Sequence, residues 1–339
     1  MKFIAFALAF GVSFLLTPII RRIALAFSIV DHPNRRKIHQ APIPLLGSIA
    51  VYLGFLIGMS FSGSNPLIHK EFIILFFAGT ILLIVGILDD CRILHPQIKL
   101  MVAMPVAGLI LTFFDLHLKF FPINLFNYFF TIFWIVGITA AYNLLDGMDG
   151  LSTGICIIAS FFYFLIGLIS NDPFLVSIPL PLMGACFAFL IYNFHPAKIF
   201  LGDSGAIFLG FMLATMGLRV ANNEYLPLLT RWMLPILILL VPIFDTGLIT
   251  ISRIRRGLIP FLHPGKDHSH HRLYNLGLGQ RKTVLLIYLF GIAGGLISLC
   301  FIKLPPIPCY LIFILLILLG FILIYFFEKL PYEKQELVK

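Results

Sequence analysis

Charge is what this sequence has least of. Lysine, arginine, aspartate and glutamate together make up 12% of its 339 residues, while 60% are hydrophobic and the mean hydropathy is +1.02. That is too little polar surface to cover a water-soluble globule of this length, so a soluble fold is excluded. Cysteine is scarce as well. There are five, an odd number, and four of them sit inside apolar stretches, which leaves no disulfide framework to read. Internal repeats, low-complexity tracts and linker-like segments are missing, so residues 1–339 are expected to form one domain. Acidic residues, 15 against 24 basic, are the rarer charged class, and the formal charge is +9. In a membrane protein such a surplus gathers on the cytosolic side, so it implies no nucleic-acid partner.

What the chain has in abundance is uninterrupted apolar sequence. Eleven stretches approach the ~20 residues that a spanning helix needs: 3–27, 45–62, 72–88, 99–116, 122–142, 150–169, 177–193, 204–220, 231–251, 283–301 and 306–327. In hydrocarbon every backbone amide must be satisfied within the chain, so an all-α polytopic integral membrane protein is expected. Arg21 and Arg22 stand between the first apolar run and Ala24-Leu25-Ala26, where a signal peptide avoids charge, so the first stretch is expected to remain a span. With loops alternating sides, eighteen of the 24 basic residues fall on one face. That face is expected to be cytosolic, with the N-terminus outside and the C-terminus inside.

The same face collects the unusual polar residues. Its loops, 29–45, 89–99, 143–150, 193–205 and 253–282, hold Asp31, Asp89, Asp90, Asp146, Asp149, Asp203 and Asp267, with Asp245 inside the ninth stretch. The loops on the other side read as turns. Carboxylates this far apart in sequence and gathered on one face predict a single composite site.

Asp89 and Asp90 close the third stretch, and Lys99 opens the next. Adjacent carboxylates at a bilayer boundary are tolerated when water, a cation or a basic partner separates them, although a solvated helix end would also suit them. In Asn143-x-x-Asp146-Gly147-x-Asp149-Gly150-Leu151 the polar residues recur at i, i+3 and i+6, so in a helix they converge on one ligand. The glycines remove side chains that would hold a ligand away. A calcium loop needs more oxygen ligands at other spacings. Asp203 sits between Gly202 and Gly205 at an expected helix N-terminus, either as a plain cap or where a carboxylate holds Mg²⁺ against a phosphate. His268-x-His270-His271-Arg272 follows Lys266 and Asp267. It invites zinc, but the surrounding carboxylates suit a hard cation better. Arg253, Arg255 and Arg256 read as membrane-surface charges. A transporter, with Asp245 relaying ions, is the rival class; it would call for two related halves and midplane charges.

Taken in order, these blocks resemble the polyprenyl-phosphate N-acetylhexosamine-1-phosphate transferases of glycosyltransferase family 4, nearest the undecaprenyl-phosphate N-acetylglucosamine-1-phosphate branch. The resemblance covers about residues 15–285. It rests on Asp31-x-Pro33 with Arg36-Lys37-x-His39 and Pro42-x-Pro44, on Leu88-Asp89-Asp90 with Lys99-Leu100, and on the Asn143–Leu151 block. It continues through Asn193–Gly205, Pro242-Ile243-Phe244-Asp245-Thr246 and His268-x-His270-His271-Arg272-Leu273. Ser269 interrupts the three consecutive histidines of the muramoyl-pentapeptide branch. Ser48 stands where a second glycine is usual.

The resemblance implies a UDP-N-acetylhexosamine donor, undecaprenyl phosphate as acceptor, and an active site facing the cytosol in the bacterial inner membrane. It implies Mg²⁺, replaceable by Mn²⁺, held by Asp203 with Asn143. Catalytic roles fall to Asp89, Asp90 and Asp149. Substrate contacts fall to Lys37, Lys99, Asn143, Asp146, Gly147, Asn193, His268, His270, His271 and Arg272. N-acetylgalactosamine, a deoxyaminosugar or the muramoyl-pentapeptide are the alternative donor sugars, and a homodimer surrounded by membrane lipid is the assembly allowed. A phosphate monoester has its second pKa near 6 and is largely dianionic at neutral pH. Asp89 and Asp90 are therefore expected to place the metal or the acceptor rather than to remove a proton.

Overall fold

The computed structural model describes residues 2–33, 40–62, 66–94, 98–260 and 265–330. Fourteen α-helices are present among them: α1 Lys2–Ala26, α2 Gly47–Ser60, α3 Pro66–Asp90, α4 Met104–Phe113, α5 Asn124–Leu145, α6 Leu151–Ile169, α7 Pro173–Ser177, α8 Pro179–Asn193, α9 Gly202–Asn222, α10 Met233–Ile238, α11 Leu240–Arg255, α12 Ser269–Leu273, α13 Gly279–Lys303 and α14 Pro306–Phe327. π-helical turns at Lys99–Ala103 and Tyr274–Leu278 lead into α4 and α13. A two-residue antiparallel clip pairs β1 (Val30–Asp31) with β2 (Ile43–Pro44).

Among the described residues eight helical segments are long and apolar enough to cross a membrane, and two shorter apolar helices accompany them. The chain is thus an all-α, multi-pass membrane protein. Large apolar side chains such as Phe3, Leu15, Phe133 and Leu315 lie exposed on the outside, where lipid rather than water is their solvent. The centre of the bundle is α9, whose apolar window is 94% buried, against 6% for α14 at the periphery. Small residues explain how α9 takes that place, because helices in lipid associate where backbones approach closely. A Cβ on Gly86 of α3 would lie 2.3 Å from Ser204 Cα, so only glycine lets α3 meet the start of α9.

Two breaks shape the functional end. The ninth apolar stretch, expected as one element over 231–251, divides at Leu239 into α10 and α11. Pro242 has no amide proton to give the Ile238 carbonyl, and its ring crowds the preceding turn. Pro44 and the first turn of α2 are pinned to the loop before α9 by Phe200 N donating to Pro44 O, Gly47 N to Phe200 O and Ser48 N to Leu201 O, at 2.8–3.1 Å.

Candidate active site

One end of the bundle brings together the C-terminus of α3, the turn between α5 and α6, the N-terminus of α9 and the short α12. Asp90 ends α3 with its carboxylate across the start of α9. Its Oδ1 accepts from Asp203 N at 2.8 Å, and its Oδ2 accepts from Ser204 N at 3.2 Å and Ser204 Oγ at 2.6 Å. The amides that the sequence offers to an anion are therefore taken by Asp90, which caps α9 from another helix. Gly202, at φ +80°, makes this possible, since a Cβ there would meet the Asp90 carboxylate at 2.5 Å. Ser204 Oγ also lies 2.7 Å from Ser48 Oγ, so a buried chain of hydroxyls reaches from α2 to Asp90. Asp89 is half-buried beside it.

Asn143 donates from Nδ2 to Asp203 Oδ1 at 3.2 Å, which joins the α5 block to the start of α9. Asp146 follows at the end of α5, with Oδ1 accepting from Ser152 Oγ at 2.5 Å. Burial pushes the Asp146 carboxyl up to about 7, against the opposing Ser152 hydrogen bond, and the charges of Asp203, Asp90 and Asp149 push it the same way. Three neighbouring carboxylates therefore oppose ionisation of Asp146. Asp90 and Asp146 are held by hydroxyl and amide donors, with no lysine or arginine bound to either among the described residues.

Asp149 is turned toward the next loop. Its Oδ2 pairs with His195 Nδ1 at 2.8 Å and accepts from Ala197 N at 3.0 Å. Asn193 serves the same junction: Oδ1 accepts from Gly150 N and Thr153 Oγ1, and Nδ2 donates to Ile199 O. These two side chains staple the Asn193–Gly205 loop to the head of α6.

The histidine segment is laced to one face of α11, where Asp245, Ser252, Arg253 and Arg256 recur at helical spacing. Arg253 binds Asp267 through two nitrogens at 2.7 and 3.0 Å, and Arg256 joins the same carboxylate. Burial alone would raise Asp267, but the Arg253 hydrogen bonds and charge, with Arg256, hold it at about 2. Arg253 is 2% exposed, so it is a structural clamp rather than a membrane-surface charge. Arg272 is fully buried and donates to Asp267 O, Ser252 Oγ, Phe327 O and Glu328 Oε1. His268 pairs through Nδ1 with Asp245 Oδ2 at 2.7 Å. His270 stacks 5.2 Å from His268 and lies 4.4 Å from His271, measured between ring centroids. A Cβ on Gly147 would sit 2.4 Å from His270 Nε2, which brings the histidine segment against the Asn143–Leu151 block.

Lys37 lies outside the described residues, and Lys99 sits in the π-helical turn that precedes α4. Ser152, Ser204 and Ser48 belong to this site without being assigned a role in it by sequence pattern, and Asp245 belongs to it as a partner of the histidine segment. Asp245 alone carried a signal, since an acid within an apolar stretch demands a partner. An apolar groove of about 580 Å³ runs along α5, the C-terminal part of α9, α10 and the start of α11, lined by Phe133, Trp134, Ile138, Gly217, Trp232 and Ile243.

Oxygen ligands in this number suit a hard divalent ion. Comparison with known proteins agrees with this architecture. Residues 72–221 match the family model described as Glycosyl transferase family 4. The chain is 36% identical over 329 residues to a probable undecaprenyl-phosphate N-acetylglucosaminyl 1-phosphate transferase of Bacillus subtilis (strain 168), covering 94% of this chain and 90% of that one. It is 31% identical to a decaprenyl-phosphate N-acetylglucosaminephosphotransferase of Mycolicibacterium smegmatis, over 82% of this chain and 77% of that one. It is 29% identical to an undecaprenyl-phosphate alpha-N-acetylglucosaminyl 1-phosphate transferase of Salmonella typhimurium, over 79% and 75%. With its carboxylates and histidines gathered at one end of a membrane bundle, and with relatives aligned along nearly its whole length, the chain belongs to glycosyl transferase family 4.

Proposed function

We propose that this protein transfers N-acetylglucosamine 1-phosphate from its UDP-sugar to undecaprenyl phosphate, giving the lipid diphosphosugar and UMP. The observation that carries this is the convergence of Asp90, Asp146, Asp149 and Asp203, with the histidine segment packed on the same turn, while an apolar groove runs from the far end of the bundle up to Ala141 and Thr246. A soluble anionic donor and a lipid acceptor meet at such a boundary, and the groove suits the polyprenyl chain.

In the reaction, an oxygen of the acceptor phosphate bonds to the sugar-bearing phosphorus of the donor. The bond from that phosphorus to the bridging oxygen breaks, and the bridging oxygen leaves on UMP. The acceptor is already largely dianionic at neutral pH, so no base is needed to ready it. Asp90 has both oxygens engaged by the start of α9, which supports a placing role: it holds Asp203 and the head of α9 in position. Asp203 and Asn143 would hold Mg²⁺. When bound, the ion would neutralise charge on the transferred phosphoryl group.

Eleven spans are proposed, the eight long helical segments together with the shorter α2, α4 and the broken α10–α11 pair. The catalytic end would face the cytosol in the bacterial inner membrane, with the N-terminus outside and the whole chain acting as one domain. Purified protein given Mg²⁺, undecaprenyl phosphate and a panel of UDP-sugars is expected to release UMP with UDP-N-acetylglucosamine. No release with any donor would overturn the assignment, and release with another sugar alone would reassign the donor.

A further inference from the structure

Asp245 is 0% exposed, deep on α11, and among the described residues every hydrogen bond it makes goes to the histidine segment. Its Oδ2 meets His268 Nδ1 at 2.7 Å. Its Oδ1 accepts from Ser269 N at 2.7 Å and from Ser269 Oγ at 2.6 Å. Burying a carboxylate is expensive unless hydrogen bonds and an opposite charge compensate it. Here the compensating group is an imidazole, and that leaves two unusual ring environments. His268 commits Nδ1 and makes no other hydrogen bond among the described residues, so Nε2 is presented without a protein partner. His270 is 0% exposed with neither ring nitrogen bonded, and its Nε2 abuts Gly147, next in sequence to Asp146. Orphaned polar atoms of this kind destabilise a fold, and a site completed by its ligand is one reason to keep them.

We propose that Asp245 is a positioning residue for the transfer: it holds His268 by Nδ1 and so directs Nε2 to an anionic oxygen of the donor diphosphate, with His270 beside it. This rests on the transferase assignment above. An imidazole between a carboxylate and a phosphate donates from both nitrogens. Asparagine at 245 would offer one acceptor and one donor, and could not accept from both His268 and Ser269. The ring would then turn or change tautomer, and the phosphate oxygen would lose its donor.

The groups facing this pair are His270 and His271 of α12, Lys266 and Asp267 preceding them, Arg253 and Arg256 through Asp267, and Asp146 beyond Gly147. Asp245, His268 and His270 also place ligand atoms within 4.8 Å of one another, a spacing that a transition metal could use. A metal there would have to displace the Nδ1 bond from a carboxylate that already accepts three hydrogen bonds, which favours the hydrogen-bonded pair.

The test is a double-mutant cycle in the full-length protein with D245N, H268Q and both together. It reads kcat, donor KM, UMP binding without acceptor, and the ¹⁵N spectrum of the histidine rings. Each single variant is expected to lose about 10²-fold in kcat/KM, as when one donor to a developing charge is removed. The pair together is expected to be no worse than H268Q, and both singles are expected to weaken UMP binding. Wild-type His268 is expected to show a protonated, hydrogen-bonded Nδ1, lost in D245N. Additive losses in an active enzyme would overturn the proposal, as would an unprotonated Nδ1 or a stoichiometric transition metal in the purified protein. If D245N fails to fold, the wild-type ¹⁵N spectrum with and without UMP still decides. Absence of turnover in the wild type would defeat the transferase assignment itself, and the proposal with it.

Discussion

The two ends of α9 handle negative charge in opposite ways. Near its C-terminus, Arg219 donates to Asp172 at 2.7 Å and to Glu71 at 3.2 Å, and Asn223 completes Asp172, so each acid there meets a guanidinium. About 24 Å away along the same helix, at 1.5 Å per residue, Asp90 and Asp146 are steadied by amides and hydroxyls that carry no charge. The first arrangement is electrically closed. The second sets no lysine or arginine against Asp90 or Asp146 among the described residues and can be completed by something from outside. The lesson is that acids in a membrane bundle mark function where their partners orient without neutralising, and mark architecture where their partners neutralise.

Removing charge at the open end should break this contrast most severely. Asp203→Asn and Asp90→Asn are each expected to lower the rate of UMP release by about 10³-fold, with helical content by circular dichroism retained. Activity within tenfold of wild type for both would make the two ends equivalent. A smaller loss, of at least about tenfold in kcat/KM, is expected for Gly147→Ala, because its Cβ would lie 2.4 Å from His270 Nε2. Gly11→Ala, with nothing within 4 Å, should match wild type in the same assay.

At the closed end the expected effect is on stability alone. Arg219→Ala strands Asp172, which is 5% exposed, and should lower unfolding stability by about 2 kcal/mol. UMP release below the new melting range should stay unchanged, and a lost activity would show that this end takes part in turnover.

The smallest effect sharpens the comparison through pH. The Asp146 carboxyl sits at about 7 in the fold against 3.8 in the unfolded chain. Its stabilising contribution is therefore complete below the lower value and is lost as pH rises through 7. A cation that meets the ionised form restores stability there. The gain in thermal midpoint on replacing EDTA by Mg²⁺ should thus be larger at pH 8 than at pH 5.5, and equal gains would remove Asp146 from the cation's surroundings.

The helices were readable because apolar runs in lipid admit few alternatives to a helix. The approach of Asp90, Asp146 and Asp203 was readable because each residue ends or begins such a run on the same side. What was not readable is which acid holds which partner. Asp149 looks equivalent to Asp146 in the repeating spacing, yet a turn of backbone after α5 directs it to His195 and Ala197. Arg253 looks like an orienting surface charge, but Asp267, fourteen residues on, folds back against it. The pairing of Asp245 with His268 and the hydroxyl chain from Ser48 through Ser204 join segments 23 and 156 residues apart. No local periodicity records such meetings. The division of the ninth stretch at Leu239 had a visible cause in Pro242, but a proline fixes where a helix is weak and not which way its two parts go.

The contact at Gly86 leaves no side chain between α3 and the head of α9. Two rods seated backbone to backbone have no cushion along which to slide, so Asp90 and Asp203 form a fixed jaw. A nucleotide arriving at this end therefore meets two carboxylates whose separation is set by the backbone contact before it binds.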